Sequence, residues 1–169
     1  MNAVQTAGGS TALNPVEVGA VWLHLVATVT LLGYFAVLAL LVLPVLRRLA
    51  SGRQLVDTLA ALERRALPLI MASLGVFLAT GVYLMGSDSR YGGVGAIGSA
   101  WAAFLLAKHL VVLVMVGLGL VYDALVVRAA RAPEGVDQAA QVGGITHAAQ
   151  GMTILAAIVL LLTAVAQAG

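Results

Sequence analysis

Four long apolar runs, separated by short polar segments, dominate the pattern of this chain. They occupy about residues 15–46, 66–85, 100–127 and 145–166. A helix needs about 20 apolar residues to cross the hydrocarbon core of a bilayer, and each run reaches that length. Asn14 and Pro15 favour a helix start, because asparagine caps a first turn and proline suits the first helical position. The pattern predicts an all-α integral membrane protein with a four-transmembrane-helix bundle in up-down-up-down order.

Composition also favours a membrane location. Hydrophobic residues make up 62% and charged residues 9% of the chain, and its mean hydropathy is +1.05. A soluble domain carries about 25% charged residues, so this chain lacks the charge to cover a water-facing surface. We expect one membrane domain over residues 1–169, in which 1–14 form an exposed tail and not a cleaved signal. Since the chain has no cysteine, disulfides and thiolate metal sites are excluded.

Arginines are unevenly divided between the two ends of the predicted bundle. Seven fall in the segments after the first and third apolar runs, and one, Arg90, falls at the opposite end. Positive residues mark cytoplasmic loops, so both termini are expected to face outside. The same distribution accounts for the sequence pI of about 9.4 without nucleic acid as a partner. Residues 47–66 are expected to form an amphipathic surface loop, and 132–144 a polar turn.

Two adjacent ionisable residues, Lys108 and His109, lie inside the third apolar run. A charged side chain at the bilayer centre costs roughly 2.5–3.5 kcal/mol on insertion scales, so such residues usually face a bundle interior and mark a site. Neighbours in a helix diverge by about 100°. The two side chains are therefore expected to serve different partners.

Histidines on two helices provide a candidate cofactor site. His24 and His109 enter the membrane from the same side and are expected at similar depth in its outer half, whereas His147 begins the fourth run at the other edge. In this bundle order the first and third helices face each other diagonally. Imidazoles from His24 and His109 can then bind the two faces of a haem b iron, while Lys108 neutralises a propionate.

Simpler roles are open for the same side chains. A membrane histidine often only hydrogen-bonds a neighbouring helix, which is the alternative for both proposed ligands. Met85 and His147 are the alternative second ligands. Asp123, near the inner edge of the third run, is expected to form a surface ion pair with Arg128, and a proton relay is the alternative.

Three stretches carry a family resemblance: LHLVATVTLLGYF, LERRALPLIMASLGVFLATGVYLM and SAWAAFLLAKHLVVLVMVGLG. They contain His24 with Gly33 nine residues on, an E-R-R start to the second helix at 63–65, and Trp101 ahead of Lys108. In these features residues 20–127 resemble the CopD-type membrane domain and the related HemJ family of protoporphyrinogen oxidases.

The resemblance implies a four-helix bundle that binds haem b, with His24 and Lys108 as the positions that carry function. CopD-type proteins are named for copper handling, and HemJ-type proteins oxidise a porphyrinogen. His109 directly after the lysine departs from the HemJ pattern. The chain also lacks the cysteines and methionine-rich runs that supply Cu(I) with soft ligands.

The combined prediction is a multi-pass protein of the bacterial plasma (inner) membrane that binds haem b and transfers electrons. Quinone, a redox partner subunit and a second copy of the chain are the candidate partners besides lipid. Copper transport, with copper as the bound metal, and porphyrinogen oxidation are the alternatives.

Overall fold

The computed structural model describes residues 14–50, 52–88, 92–93, 100–133 and 137–168. Its α-helices are α1 (Pro15–Val37), α2 (Leu43–Leu49), α3 (Gly52–Ser87), α4 (Ala100–Arg131) and α5 (Gln138–Ala168), and a π turn (Leu38–Val42) joins α1 to α2. Because α1, the π turn and α2 are continuous, the described chain has four helices long and apolar enough to cross a membrane. The prediction of an all-α, multi-pass bundle is confirmed.

The first helix starts where the sequence indicated. Asn14 Oδ1 accepts a hydrogen bond from the Val16 N–H at 3.1 Å, and Pro15 takes the first helical position. Residues 1–13 of the expected tail, Arg90 and the side chain of Trp101 lie outside the part of the chain that the structure describes.

The π turn has a local cause in Pro44. Proline has no N–H to donate, so the helix loses one of its regular bonds here. The preceding residue, Leu43, donates its N–H five residues back to the Leu38 carbonyl, and the helix continues as α2.

The second span begins earlier than its apolar run. Residues 52–65, expected to belong to a surface loop, are the first turns of α3. Gly52 takes a φ of 55°, a left-handed conformation that glycine adopts at low cost. Leu55, Val56 and Leu59 then bury one helical face, and Arg53 pairs with Asp57 at 3.1 Å one turn on. The burial of that face explains why the polar segment is helical.

The fourth span also begins earlier, at Gln138 and not at Ile145. Asp137 Oδ1 accepts a hydrogen bond from the Ala140 N–H at 3.1 Å, which is the contact of an N-cap. The expected polar turn is therefore reduced, and His147 lies well inside α5.

Contacts between helix ends establish the up-down-up-down order. Arg47, in α2, donates to Thr146 Oγ1 of α5 at 2.8 Å. Arg53, in the first turn of α3, donates to the carbonyl of Ala130 in the last turn of α4 at 2.7 Å and to that of Ala132 just after α4 at 3.0 Å. These four helix ends therefore meet at one end of the bundle, here called the arginine end.

The packing is tightest toward the arginine end. Along the bundle α4 packs on α5, and α1 packs on α3. The largest fully buried side chains are Tyr122, Leu38, Leu43, Leu59, Ile145, Val56 and Val126. Large apolar side chains on the outer surface, such as Leu113 (68% exposed), suit contact with lipid. The half of the bundle toward His24 is more open, and the candidate site lies there.

Candidate functional site

His24 is half-buried on α1 and contacts α3. Its Nδ1 lies 2.9 Å from Thr80 Oγ1, and its ring stacks on Phe77 with centroids 4.6 Å apart. A Cβ placed on Gly81 would lie 3.3 Å from His24 Cε1. The glycine therefore leaves the space that the imidazole occupies. The simple expectation for this histidine, a hydrogen bond to a neighbouring helix, is met.

The hydrogen bonds of Thr80 determine which His24 nitrogen carries the proton. Thr80 Oγ1 is 2.6 Å from the Val76 carbonyl oxygen, and a carbonyl only accepts. The single hydroxyl proton thus goes to Val76, so Oγ1 must accept from His24 Nδ1. Neutral His24 then keeps its lone pair on Nε2. Histidines that bind metals typically donate from their other nitrogen to an oxygen in this way.

Lys108 is half-buried on α4, across the bundle from α1. It is close enough to His24 for the two side chains to interact electrostatically. Among the described residues no carboxylate lies within ion-pair distance of Lys108. An ammonium group in apolar surroundings is costly without a counter-charge, so a bound anionic group would stabilise this position.

His109 has different surroundings from Lys108. Its side chain is exposed, and its Nδ1 lies 2.6 Å from the Leu105 carbonyl oxygen of the same helix. Because that carbonyl only accepts, Nδ1 is the donor and Nε2 keeps its lone pair on the outer face. The structure brings Lys108 and His24 near each other but does not join His109 to them.

The two alternative ligands differ in position. His147 is exposed and follows Thr146, which bonds Arg47 at the arginine end. Met85 is half-buried and four residues beyond Gly81 in α3, so it lies one turn further along the helical face that packs on His24. Within the described residues no three His, Asp or Glu side chains come together as a metal ion held by protein alone would need.

A buried acid, Glu63, was not recognised from the sequence as part of a site. Its side chain is 7% exposed, and Oε2 accepts a hydrogen bond from Tyr34 Oη at 2.6 Å. Tyr122, only 1% exposed, interacts with both groups. The sequence did contain a signal, because Glu63 continues the helical face begun by Leu55 and Leu59. Extending that periodicity places the acid in the core.

Asp123 does not form the expected ion pair with Arg128. In the described chain the ion pair that forms is Arg53–Asp57, while Asp123 is half-buried, lines a cavity and interacts electrostatically with Glu63. The reason is helical geometry, since residues five apart point about 140° from each other. Arg128 is exposed on another face.

A cavity of about 320 Å³ runs through the bundle between all four spans. Glu63 and Asp123 line it toward the arginine end, and Thr28 and Phe77 line it toward His24. From Glu63 to Phe77 the distance along α3 is about 21 Å at 1.5 Å per residue. Its volume falls at the lower end of the range for small-ligand pockets, about 300–1,000 Å³.

The cavity opens sideways between α3 and α4. Three lining residues at this opening are themselves exposed: Leu67 (36%), Met71 (48%) and Leu120 (64%). All three belong to spans that cross the membrane. A compound dissolved in the lipid can therefore reach the cavity without passing through water.

Comparison of the chain with protein-family models finds no match, and comparisons with curated proteins and with solved structures find none either.

Proposed function

We propose that this protein binds haem b inside a bacterial plasma membrane and transfers electrons, with His24 as an axial ligand of the iron. The observation that carries the proposal is the chain of hydrogen bonds from His24 Nδ1 to Thr80 and from Thr80 to the Val76 carbonyl. It orients the imidazole and leaves the Nε2 lone pair as the donor that an iron needs. The resemblance of the sequence to haem-binding membrane families supports the same choice.

The donor set suits haem better than a bare metal ion. A porphyrin supplies four nitrogen ligands, so one or two protein side chains complete the iron's coordination. His24 provides one. By contrast, copper held by protein alone needs several donors together, and the described residues offer no such group.

Lys108 supplies the charge that a haem carboxylate requires. The ammonium group interacts electrostatically with His24 and forms no ion pair with a carboxylate among the described residues. A charge-assisted contact with a propionate would stabilise both groups. Glu63 and Asp123 line the cavity, whereas Lys108 lies outside its lining, so a propionate would be held at Lys108 and away from the two carboxylates.

His109 is not assigned as a ligand inside this bundle. Its side chain is exposed, so its Nε2 would bind iron only at the outer surface or beside a second copy of the chain. His24 therefore carries the proposal, and the paired-histidine arrangement stays a prediction.

A reduced-minus-oxidised absorption spectrum of the detergent-purified protein tests the proposal. We expect b-type haem bands in the wild type and equally in His147→Ala, a control because His147 is exposed at the arginine end. Lys108→Ala should retain less haem. A colourless preparation that takes up copper would contradict the proposal and favour the copper-handling alternative. Haem-loaded protein that consumes a porphyrinogen would instead favour the oxidase alternative.

A further inference from the structure

We propose that the cavity between α3 and α4 binds the hydroquinone form of a lipid-soluble quinone, with Glu63 and Asp123 accepting its hydroxyl protons. Hydroquinone binding is inferred from the cavity alone. The proposed haem function is needed only for the electron acceptor.

The route of entry points to a ligand dissolved in the membrane. The cavity opens toward lipid beside Leu67, Met71 and Leu120, which are exposed and also line it. Its walls are almost wholly apolar apart from the two acids and Thr28. A quinol with an isoprenoid tail fits such an opening, since the tail can remain in the lipid while the ring enters.

The arrangement of the acids selects a ligand that carries hydrogen-bond donors. Tyr34 donates to Oε2 of Glu63, and Tyr122 interacts with the same carboxylate. An ionised carboxylate has about four lone-pair sites, so Glu63 can still accept a hydrogen bond from a ligand. Glu63 and Asp123 belong to opposite walls, α3 and α4, of the same cavity. A hydroquinone carries hydroxyls on opposite sides of its ring, so a ring between the walls can donate to both carboxylates.

The remaining walls suit an aromatic ring and disfavour a phospholipid. Met71, Met115 and Met152 all line the cavity, and thioether sulfurs make favourable contacts with aromatic rings. The two carboxylates would repel a lipid phosphate. The described lining contains no lysine or arginine to offset that repulsion.

Oxidation of the bound hydroquinone to the quinone releases two protons and two electrons. Glu63 and Asp123 would take one proton each. A haem held by His24 would supply the oxidant, taking the electrons one at a time if a one-electron acceptor outside the bundle reoxidised it between transfers.

Calorimetric titration tests the site. The purified protein is titrated with a benzohydroquinone that carries a ten-carbon tail. Gly119 lines the cavity, and a Cβ there meets only Met152 Cε at 3.9 Å, so Gly119→Leu fills the cavity with little strain. Gly117→Leu is the matched control, because Gly117 lies outside the lining and a Cβ there meets nothing within 4 Å. We expect Gly119→Leu to lose hydroquinone binding and Gly117→Leu to keep it.

Glu63→Gln provides a second test that does not change the packing. The glutamine oxygen still accepts from Tyr34, but the charge that attracts the ligand hydroxyl is gone. Affinity should fall about tenfold or more, and Asp123→Asn should behave alike. Unchanged affinity in these variants and in Gly119→Leu, or displacement of the hydroquinone by a phospholipid, would overturn the proposal. His24→Ala separates the two proposals, since it should lose haem and still bind the hydroquinone.

Discussion

Thr80 Oγ1 accepts a hydrogen bond from His24 Nδ1 across the α1–α3 interface at 2.9 Å. The Thr80 hydroxyl itself donates to the Val76 carbonyl at 2.6 Å. Thr80 therefore orients the imidazole as an acceptor, together with the stacking of the ring on Phe77. The ring has no comparable anchor on its own helix, where the bond from Thr28 goes to the His24 backbone carbonyl.

Replacing Thr80 by valine should therefore weaken haem binding. Valine keeps the shape of threonine but accepts no hydrogen bond, so His24 loses the bond that orients it. Loss of such an outer partner typically costs about 10- to 100-fold in metal affinity, and haem titration of the purified variant measures it. Thr30→Val is the control, because Thr30 bonds only the Val26 carbonyl of its own helix. Equal losses in both variants would contradict the role given to Thr80.

Gly81→Ala should disturb the same imidazole by contact. The added methyl group would lie 3.3 Å from His24 Cε1, tighter than ordinary packing, so the ring must shift. We expect a changed haem absorption spectrum in this variant. Gly75→Ala, in the same helix but with nothing within 4 Å of the new Cβ, should keep the wild-type spectrum. The prediction fails if the two variants cannot be told apart.

Tyr34→Phe should destabilise the bundle. It removes the hydroxyl that donates to Glu63 Oε2 at 2.6 Å and leaves a buried carboxylate without that partner. The expected loss is about 1–3 kcal/mol of unfolding free energy, seen as a lower melting temperature in detergent. Tyr83→Phe, at a 40% exposed position, should change stability by no more than about 0.5 kcal/mol. A wild-type melting temperature for Tyr34→Phe would show that the bond adds nothing.

Orientation in the membrane follows from the arginines. Reporter domains inserted in the segment 132–136 should lie in the cytoplasm, and reporters at residue 92 should lie outside, because positive residues mark the cytoplasmic side. The reverse labelling would place His24 toward the inner leaflet and contradict the orientation predicted from the arginines.

The apolar runs predicted the spans well because lipid selects for length and hydropathy, which a sequence displays directly. They were a poor guide to helix ends, since α3 begins at Gly52 and α5 at Gln138 beyond the apolar segments. Those extensions depend on burial against other helices, such as that of Leu59 and Ile145. Apolar content does not report such contacts.

The candidate site, like the helices, was predicted from the sequence only in part. The divergence of Lys108 from His109 follows from helical geometry, and the structure agrees, since Lys108 is half-buried and His109 is exposed. The pairing of His24 with Thr80 and the turning of Asp123 into the cavity depend on how the helices rotate against one another. The sequence sets that rotation only through the packing of many side chains, so neither contact was foreseen.

Chemical rescue is the most direct test of the proposal that the His24 imidazole binds the haem iron. His24→Gly leaves a gap in α1 that free imidazole can enter. The measurement is the reduced-minus-oxidised spectrum of this variant after haem loading, before and after imidazole is added. We expect the wild-type b-type bands to be lost in His24→Gly and to return with imidazole. A variant that shows the full wild-type spectrum without imidazole would contradict the proposal.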